Sequence, residues 1–427
     1  MSTPLDPRPT RRRFLSVSGT AVAGVSIAAK AAAMPVHLGG SDVIRVGLIG
    51  CGGRGTGAAL NALKADPQAR LVAMGDLFAD RLNDSLTSLQ NSEVKAQVTV
   101  DADHRFTDFS AFDGVIKSSD VVLLCTSPHY RPQHLRAAIE AGKHVFCEKP
   151  VATDAPGLRS VMETCKLAQQ KQLSLVSGLC YRYQKAKRDV IQRVHEGAVG
   201  DIVALQCTYN TGFLWHRGHK PEWSDMEYQN RNWLYFTWLS GDHIAEQSIH
   251  SLDKILWAMK DEAPERVTAS GGRSTRVQPE FGNVYDHFNT VFEWKNGVKL
   301  FHSCRQWGGA DGDVSDFVFG TKGTAAIQTH AITGENAWRH RGDPGDMYQF
   351  EHDELFRSIR EGKPINNGDY MCKATLMSIM GRMSAYTGKT ITWEQALNSK
   401  QDLSPAGYAW GPAPEPIIAI PGKTEFL

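Results

Sequence analysis

From Val43 onward, short apolar runs alternate with stretches patterned for helices. VIRVGLIG (43–50) is β-branched and apolar, as a strand covered on both faces must be. The glycines Gly50, Gly52 and Gly55 close that run, and GTGAALNALKA (55–65) opens a helix. ARLVAMGD (69–76), DVVLLCTS (120–127) and HVFCEKP (144–150) read as further strands, with helical segments at 79–90, 132–143 and 157–172. Strands alternating with helices at this spacing predict an α/β fold with a parallel, doubly wound sheet.

The pattern then changes. LSLVSGLCYRY (173–183) and IVALQCTYNTGF (202–213) read as strands flanking a helix at 185–200. FNTVFEWKNGVKLFHSCRQ (288–306) is a hairpin turning at Asn296-Gly297, and SDFVFGTKGTAAIQT (315–329) is a second one around a Gly turn. Helices follow at 347–362 and 373–388, and the Pro-rich residues 404–427 read as an extended arm. This half is expected to be an α+β domain with a mostly antiparallel sheet and helices on one face.

The 427 residues suffice for two or three domains, and a net charge of +1 argues against a nucleic-acid surface. No apolar run approaches the roughly 18 residues of a membrane span. The eight cysteines form no C-x-x-C pair, and Cys125 and Cys147 sit inside apolar runs as buried thiols. The amino terminus has its own pattern. Thr10-Arg11-Arg12-Arg13-Phe14-Leu15 fits a twin-arginine export signal, followed by a weakly apolar stretch and the small residues Ala31-Ala32-Ala33. The expected organisation is a signal peptide at 1–33, a dinucleotide-binding domain at 43–165, a substrate and oligomerisation domain at 166–403, and an arm at 404–427. The protein is expected in the periplasm or outside the cell.

Gly50, Gly52 and Gly55 follow a strand, open a helix, and are answered by Asp76 at the end of the next strand. That context is the Rossmann dinucleotide fingerprint. Gly50 serves the tight turn, Gly52 the approach of the pyrophosphate, and Gly55 the packing of helix on sheet; Cys51 lies within the loop. Asp76 is expected to accept the adenosine ribose hydroxyls, which favours NAD. Arg54 in the same loop offsets repulsion of a 2′-phosphate, so NADP is also admitted.

CTSPHYRPQHLRAAIEAGKHVFCEKPVA (125–152) resembles the signature of the Gfo/Idh/MocA oxidoreductases, the glucose-fructose oxidoreductase and inositol dehydrogenase family. The hallmark is Glu148-Lys149-Pro150, and the resemblance runs from about residue 43 to about 400. It implies that Lys149 lies between nicotinamide and substrate and hydrogen-bonds the reacting hydroxyl. It implies cofactor contacts for Glu148 and Thr126. Arg131 stands where the family usually has a His. In SGDHIAEQSIHSLDKILWAM (240–259), Asp242, Glu246, His250 and Lys254 fall along one face when written as a helix. The family carries Asp-x-x-x-His here; this chain has Glu246-x-x-x-His250, which implies His250 as general base with Glu246 orienting it. His243, Glu246 and His250 lack the spacing of a helical metalloprotease site, and no metal is expected.

Between strand and catalytic segment lies an aromatic stretch, residues 209–241, with Trp215, His216, Arg217, Trp223, Trp233 and Trp238. It reads either as a sugar-binding lid, with Trp215, His216 and Trp233 as substrate contacts, or as core or subunit interface. Arg182 and Tyr183 are expected to end a strand directed at the same cleft. Together these features describe an exported NAD(P)-dependent oxidoreductase acting on a sugar or polyol, homo-oligomeric, with a tightly held cofactor recycled within the cycle. A redox-neutral glycosidase like those of family 109, and a non-catalytic sugar-binding protein, are the alternatives.

Overall fold

The computed structural model describes residues 43–427; the expected export signal at 1–33 lies outside them. The first half builds β1 (Ile44–Ile49), α1 (Gly53–Ala65), β2 (Ala69–Asp76), α2 (Ala79–Gln90), β3 (Arg105–Thr107), α3 (Ala111–Ser118), β4 (Val121–Leu124), α4 (Arg131–Glu140), β5 (His144–Cys147), α5 (Ala155–Gln170) and β6 (Leu175–Ser177). These strands form one parallel sheet in the order β3-β2-β1-β4-β5-β6. Every residue of β4 and β5 is buried, which is why their sequences show no polar alternation.

Two features of this sheet escape the sequence pattern. The three residues of β3 are too short for any periodicity. The segment 173–183 contributes only Leu175–Ser177 as strand, and this joins the parallel sheet as β6, past residue 165. Residues Cys180–Tyr183 then coil into a helical turn.

The second half contains α6 (Lys185–His195), β7 (Ile202–Thr211), α7 (Asp225–Arg231), α8 (Thr237–Ser240), α9 (His243–Glu246), α10 (Ile249–Ala258), β8 (Arg266–Gly272), β9 (His287–Glu293), β10 (Lys299–Gln306), β11 (Asp313–Gly320), β12 (Gly323–Ala326), β13 (Ala331–Gly334) and β14 (Trp338–Arg339). After them come α11 (Met347–Arg360), α12 (Gly368–Thr387), β15 (Ile391–Thr392) and α13 (Trp393–Asn398). A nine-stranded sheet runs β14-β13-β12-β11-β7-β10-β9-β8-β15. It is antiparallel throughout except for the β7–β10 pair. Both expected hairpins form: β9–β10 around Gly297, whose φ is +87°, and β11–β12.

The helix α12 locks the halves together. Every residue from Ala374 to Thr387 is buried, so it is a core helix rather than an amphipathic one. The other late helix, α11, packs back on the first domain, where Gln349 Nε2 donates to the Asn61 carbonyl at 3.0 Å.

The turn at 180–183 is fastened by charge. Arg182 donates to Asp253 of α10 at 2.8 Å and to Asp261 at 2.7 Å, with its side chain 7% exposed. The Arg182→Met variant strands Asp253 as a buried, uncompensated charge. It is expected to lose about 3–5 kcal/mol in urea unfolding while the folded fraction keeps its substrate KM. A loss below about 1 kcal/mol, the size of a surface pair, would contradict this role.

Candidate active site

The carboxyl ends of the parallel strands open into a cleft of about 550 Å³. The glycine loop forms its floor, and each glycine is there for a different steric reason. Gly50 has φ of +93°, and a Cβ on Gly55 would sit 1.9 Å from the Gly50 carbonyl oxygen. At Gly52 a Cβ would meet nothing nearer than Arg81 Nη1 at 3.8 Å, which leaves the backbone open to an approaching pyrophosphate. The Cys51 amide donates to Asp76 Oδ2 at 2.6 Å, and the Phe78 amide to Asp76 Oδ1 at 3.0 Å. Asp76 therefore ties the loop to β2 while lining the cleft, where burial raises its pKa. Across the cleft, Thr126 Oγ1 is buried without a partner. A cradle free of side chains, a carboxylate on the next strand and an orphaned hydroxyl fit a pyridine dinucleotide.

Arg54 has a different role from the one expected of it. Its guanidinium is held by Glu148 and, at 2.6 Å, by Glu351 of α11. Burial alone would raise Glu148; Arg54, Lys149 and Arg131 outweigh it and hold the carboxyl below its usual value. Burial drives Glu351 well above its own. Arg54 is thus committed to carboxylates and is not free to offset a 2′-phosphate. Gly178 lets Glu148 lie there, because a Cβ would come 2.7 Å from Glu148 Oε2. Arg131 is likewise structural: buried, it donates to the carbonyls of Pro150 and Thr126.

Lys149 projects from the end of β5, and its Nζ donates to the Glu246 carbonyl and approaches Glu246 Oε1 at 3.4 Å. His250 lines the same cleft. The expected single helix through these residues is broken. Gly241 and Asp242 have φ of +76° and +70°, α9 ends at Glu246, and α10 begins at Ile249. The entry to α9 is fixed by Asp242, which is fully buried and accepts from the amides of His243 and Tyr285 and from the Tyr386 hydroxyl at 2.5 Å. As a result Glu246 serves Lys149 and forms no hydrogen bond with His250, which corrects the orienting role read from the sequence. His250 Nδ1 is buried without a partner. Burial, then the charges of Lys149, Lys254 and Arg54, push the imidazole pKa well below its usual value, so it is held neutral. Lys254 lies beyond the cleft, paired with Asp316. His243 points elsewhere too, its ring nitrogens facing Asp242, the Tyr285 carbonyl and Cys304.

Of the aromatic segment, Trp215, Arg217 and Trp233 reach the cleft. His216 does not: its Nε2 meets the Glu280 carbonyl at 3.1 Å, and its ring packs among Tyr228, Tyr235 and Phe281. Arg182 and Tyr183 are also corrected. Arg182 is spent on Asp253 and Asp261, and the buried Tyr183 hydroxyl donates to Asn367 Oδ1 at 2.6 Å. Both belong to a turn facing the domain junction rather than to a strand facing the cleft. The sequence missed Tyr348, which lines the cleft from α11 with Arg54 4.6 Å over its ring. It also missed Phe78 and Phe109, on the loops after β2 and β3, and Arg81 in the first turn of α2. A basic residue shortly after Asp76 was the one available signal.

Residues 44–178 match the Gfo/Idh/MocA oxidoreductase family, NAD-binding Rossmann fold, and residues 188–326 match the Gfo/Idh/MocA C-terminal domain. An inositol 2-dehydrogenase of Saccharopolyspora erythraea is 28% identical over 297 residues, 68% of this chain and 75% of its own length. A myo-inositol 2-dehydrogenase of Thermotoga maritima is 27% identical over 318 residues, 74% of this chain and 84% of its own. The fold also matches an aldose-aldose oxidoreductase of Caulobacter crescentus with a TM-score of 0.64 at 19% identity, covering 82% of this chain and 99% of that one. With both family domains present in order and the glycine loop, Lys149 and His250 converging on one cleft, the chain belongs to the Gfo/Idh/MocA oxidoreductases, a family built on an NAD-binding Rossmann fold.

Proposed function

We propose that this protein oxidises a CH–OH group of a sugar or polyol, that it works outside the cytoplasm, and that it keeps its dinucleotide through the cycle. The observation that carries the chemistry is a neutral histidine and a lysine lining the cleft of the glycine loop. His250 accepts the hydroxyl proton on its imidazole. Lys149 lies beside the same oxygen and stabilises the negative charge that grows on it. Glu246 keeps the Lys149 ammonium in place through carbonyl and carboxylate. When bound, nicotinamide supplies the acceptor for the carbon-bound hydrogen and its electron pair. The inositol dehydrogenases among the relatives support a polyhydroxylated substrate.

Export is read from Thr10–Leu15 and Ala31–Ala33. Among the described residues no helix is long and apolar enough to cross a membrane. Free dinucleotide is scarce outside the cytoplasm, so a dissociable cofactor would be lost by mass action. A retained one is reset by reducing a second sugar or by returning electrons to the same one. Self-association is supported by the outer face of the large sheet, where β-pairing sets Phe301, Phe317 and Phe319 on one side and Phe301 is 52% exposed.

His250→Ala and Lys149→Ala are expected to fold and bind NAD while kcat falls about 100- to 10,000-fold. A near-normal rate in His250→Ala would move the base elsewhere. Because a depressed pKa leaves the imidazole neutral down to low pH, the acid limb of kcat/KM should lie below about pH 6.5. A limb above that value contradicts the buried, cation-flanked base.

Arg11→Lys with Arg12→Lys should trap active enzyme inside the cell. Exported wild-type protein should carry a nearly stoichiometric complement of nicotinamide dinucleotide and turn over with none added. A product screen on free sugars and aryl glycosides then separates net sugar oxidoreduction from redox-neutral glycoside cleavage. Sugar binding with no reduction of bound NAD would leave only the non-catalytic reading.

A further inference from the structure

The dinucleotide cleft has a second wall that the glycine fingerprint does not supply. Gly52, Gly53 and Arg81 border both the main cleft and an adjoining cavity of about 640 Å³. The far side of that cavity is built by Arg217, Lys220, Trp223 and Arg231 of the second domain. Residues 217–231 thus face the glycine loop across this cavity.

This segment is fastened to the first domain at two points. Arg231 of α7 pairs with Asp80 of α2 at 3.0 Å and stacks its guanidinium 3.9 Å over the Phe78 ring. The second fastening uses the arm after α13. The Met226 amide donates to the Gly411 carbonyl at 3.0 Å, and Gln229 Nε2 to the Pro414 carbonyl at 2.9 Å. The same arm lays Trp410 on Phe109 at 4.8 Å and on Phe78 at 5.7 Å, while Tyr408 hydrogen-bonds His129 at 2.8 Å. Phe78 and Phe109 are themselves walls of the cleft. The arm therefore pins α7 from outside against the loops that follow β2 and β3.

We infer that residues 214–231 and 403–414 form a clasp that retains the dinucleotide, with Arg231 and Trp410 as its positioning residues. The occupant is argued from charge. Arg81 and Arg217 make no hydrogen bond or ion pair through their guanidinium groups among the described residues, and they face the loop whose backbone is open to phosphate. Burial, with Arg217 and Arg231 close by, holds Arg81 below its ordinary value despite Asp76 and Asp80, so an anion there offsets the crowding of cations around Arg81. The fastenings are individually weak. Asp80 is 62% exposed in its pair and Trp410 is 43% exposed, so the clasp opens to load the cofactor without unfolding either domain.

The inference rests on the reading that the cofactor is retained, and one experiment separates the two. Full-length protein loaded with NAD is chased with excess unlabelled NAD, and the release rate is followed. Trp410→Ala is expected to release NAD about 10- to 100-fold faster, with kcat at saturating NAD, sugar KM and melting temperature unchanged. Arg231→Ala should release faster as well, and Arg231→Lys, which keeps the pair with Asp80, should restore much of the retention. Wild-type protein that holds NAD while both alanine variants hold it equally well overturns the clasp and leaves the retained-cofactor reading standing. Wild-type protein that loses NAD on a desalting column overturns both. If Arg231→Ala unfolds, the Trp410→Ala rate alone decides, because that ring lies on the surface.

Discussion

The contact between the Lys149 ammonium and Glu246 carries the site. Lys149 belongs to the end of a parallel strand in the dinucleotide-binding domain, and Glu246 to a one-turn helix of the second domain. Their hydrogen bond is the point where the cofactor half meets the substrate half. It fixes a cation in the cleft and keeps that cation near His250, whose neutrality depends partly on it. Preorganisation of this kind is effective because the groups are already desolvated and fixed before substrate arrives.

That contact requires a distortion held from beneath. The chain passes through two left-handed residues, Gly241 and Asp242, before α9. A non-glycine residue in that conformation persists only when its surroundings over-determine it. Here they do: Asp242 receives hydrogen bonds from α9, from the loop before β9 and from α12, and Arg382 of α12 donates to the Gly241 carbonyl at 3.1 Å. Gln247 completes the break by accepting from Gln306 at 2.6 Å. Through these contacts α12, buried from Ala374 to Thr387, supports the site without lining the cleft. Were 242–258 one regular helix, Glu246 and His250 would share a face and Lys149 would lose its acceptor.

The same tertiary logic governs cofactor chemistry. Arg54 and Glu148 are neighbours of the dinucleotide by sequence motif, yet Arg54 is also held by Glu351, almost 300 residues away along the chain. Arg81 and Arg217 face the cofactor loop from two different domains. Which cation is spent and which is available follows from packing.

The sequence by itself determined the alternation of strand and helix, the parallel sheet, both hairpins and the glycine loop with Asp76. These are local: apolar period, turn residues and short motifs that specify backbone geometry over a few positions. Tertiary structure alone decided the rest. It placed residues 175–177 in the first sheet, because a three-residue apolar run suits either sheet and only its neighbours choose. It withdrew Arg182 and Tyr183 from the cleft, since Asp253, Asp261 and Asn367 satisfy them at the domain junction. It turned His216 outward, broke the expected helix at Gln247–Ser248, and gave Glu246 to Lys149 rather than to His250. Each of these turns on a partner distant in sequence, and a buried polar group goes where its hydrogen bonds are satisfied, which spacing along the chain does not encode.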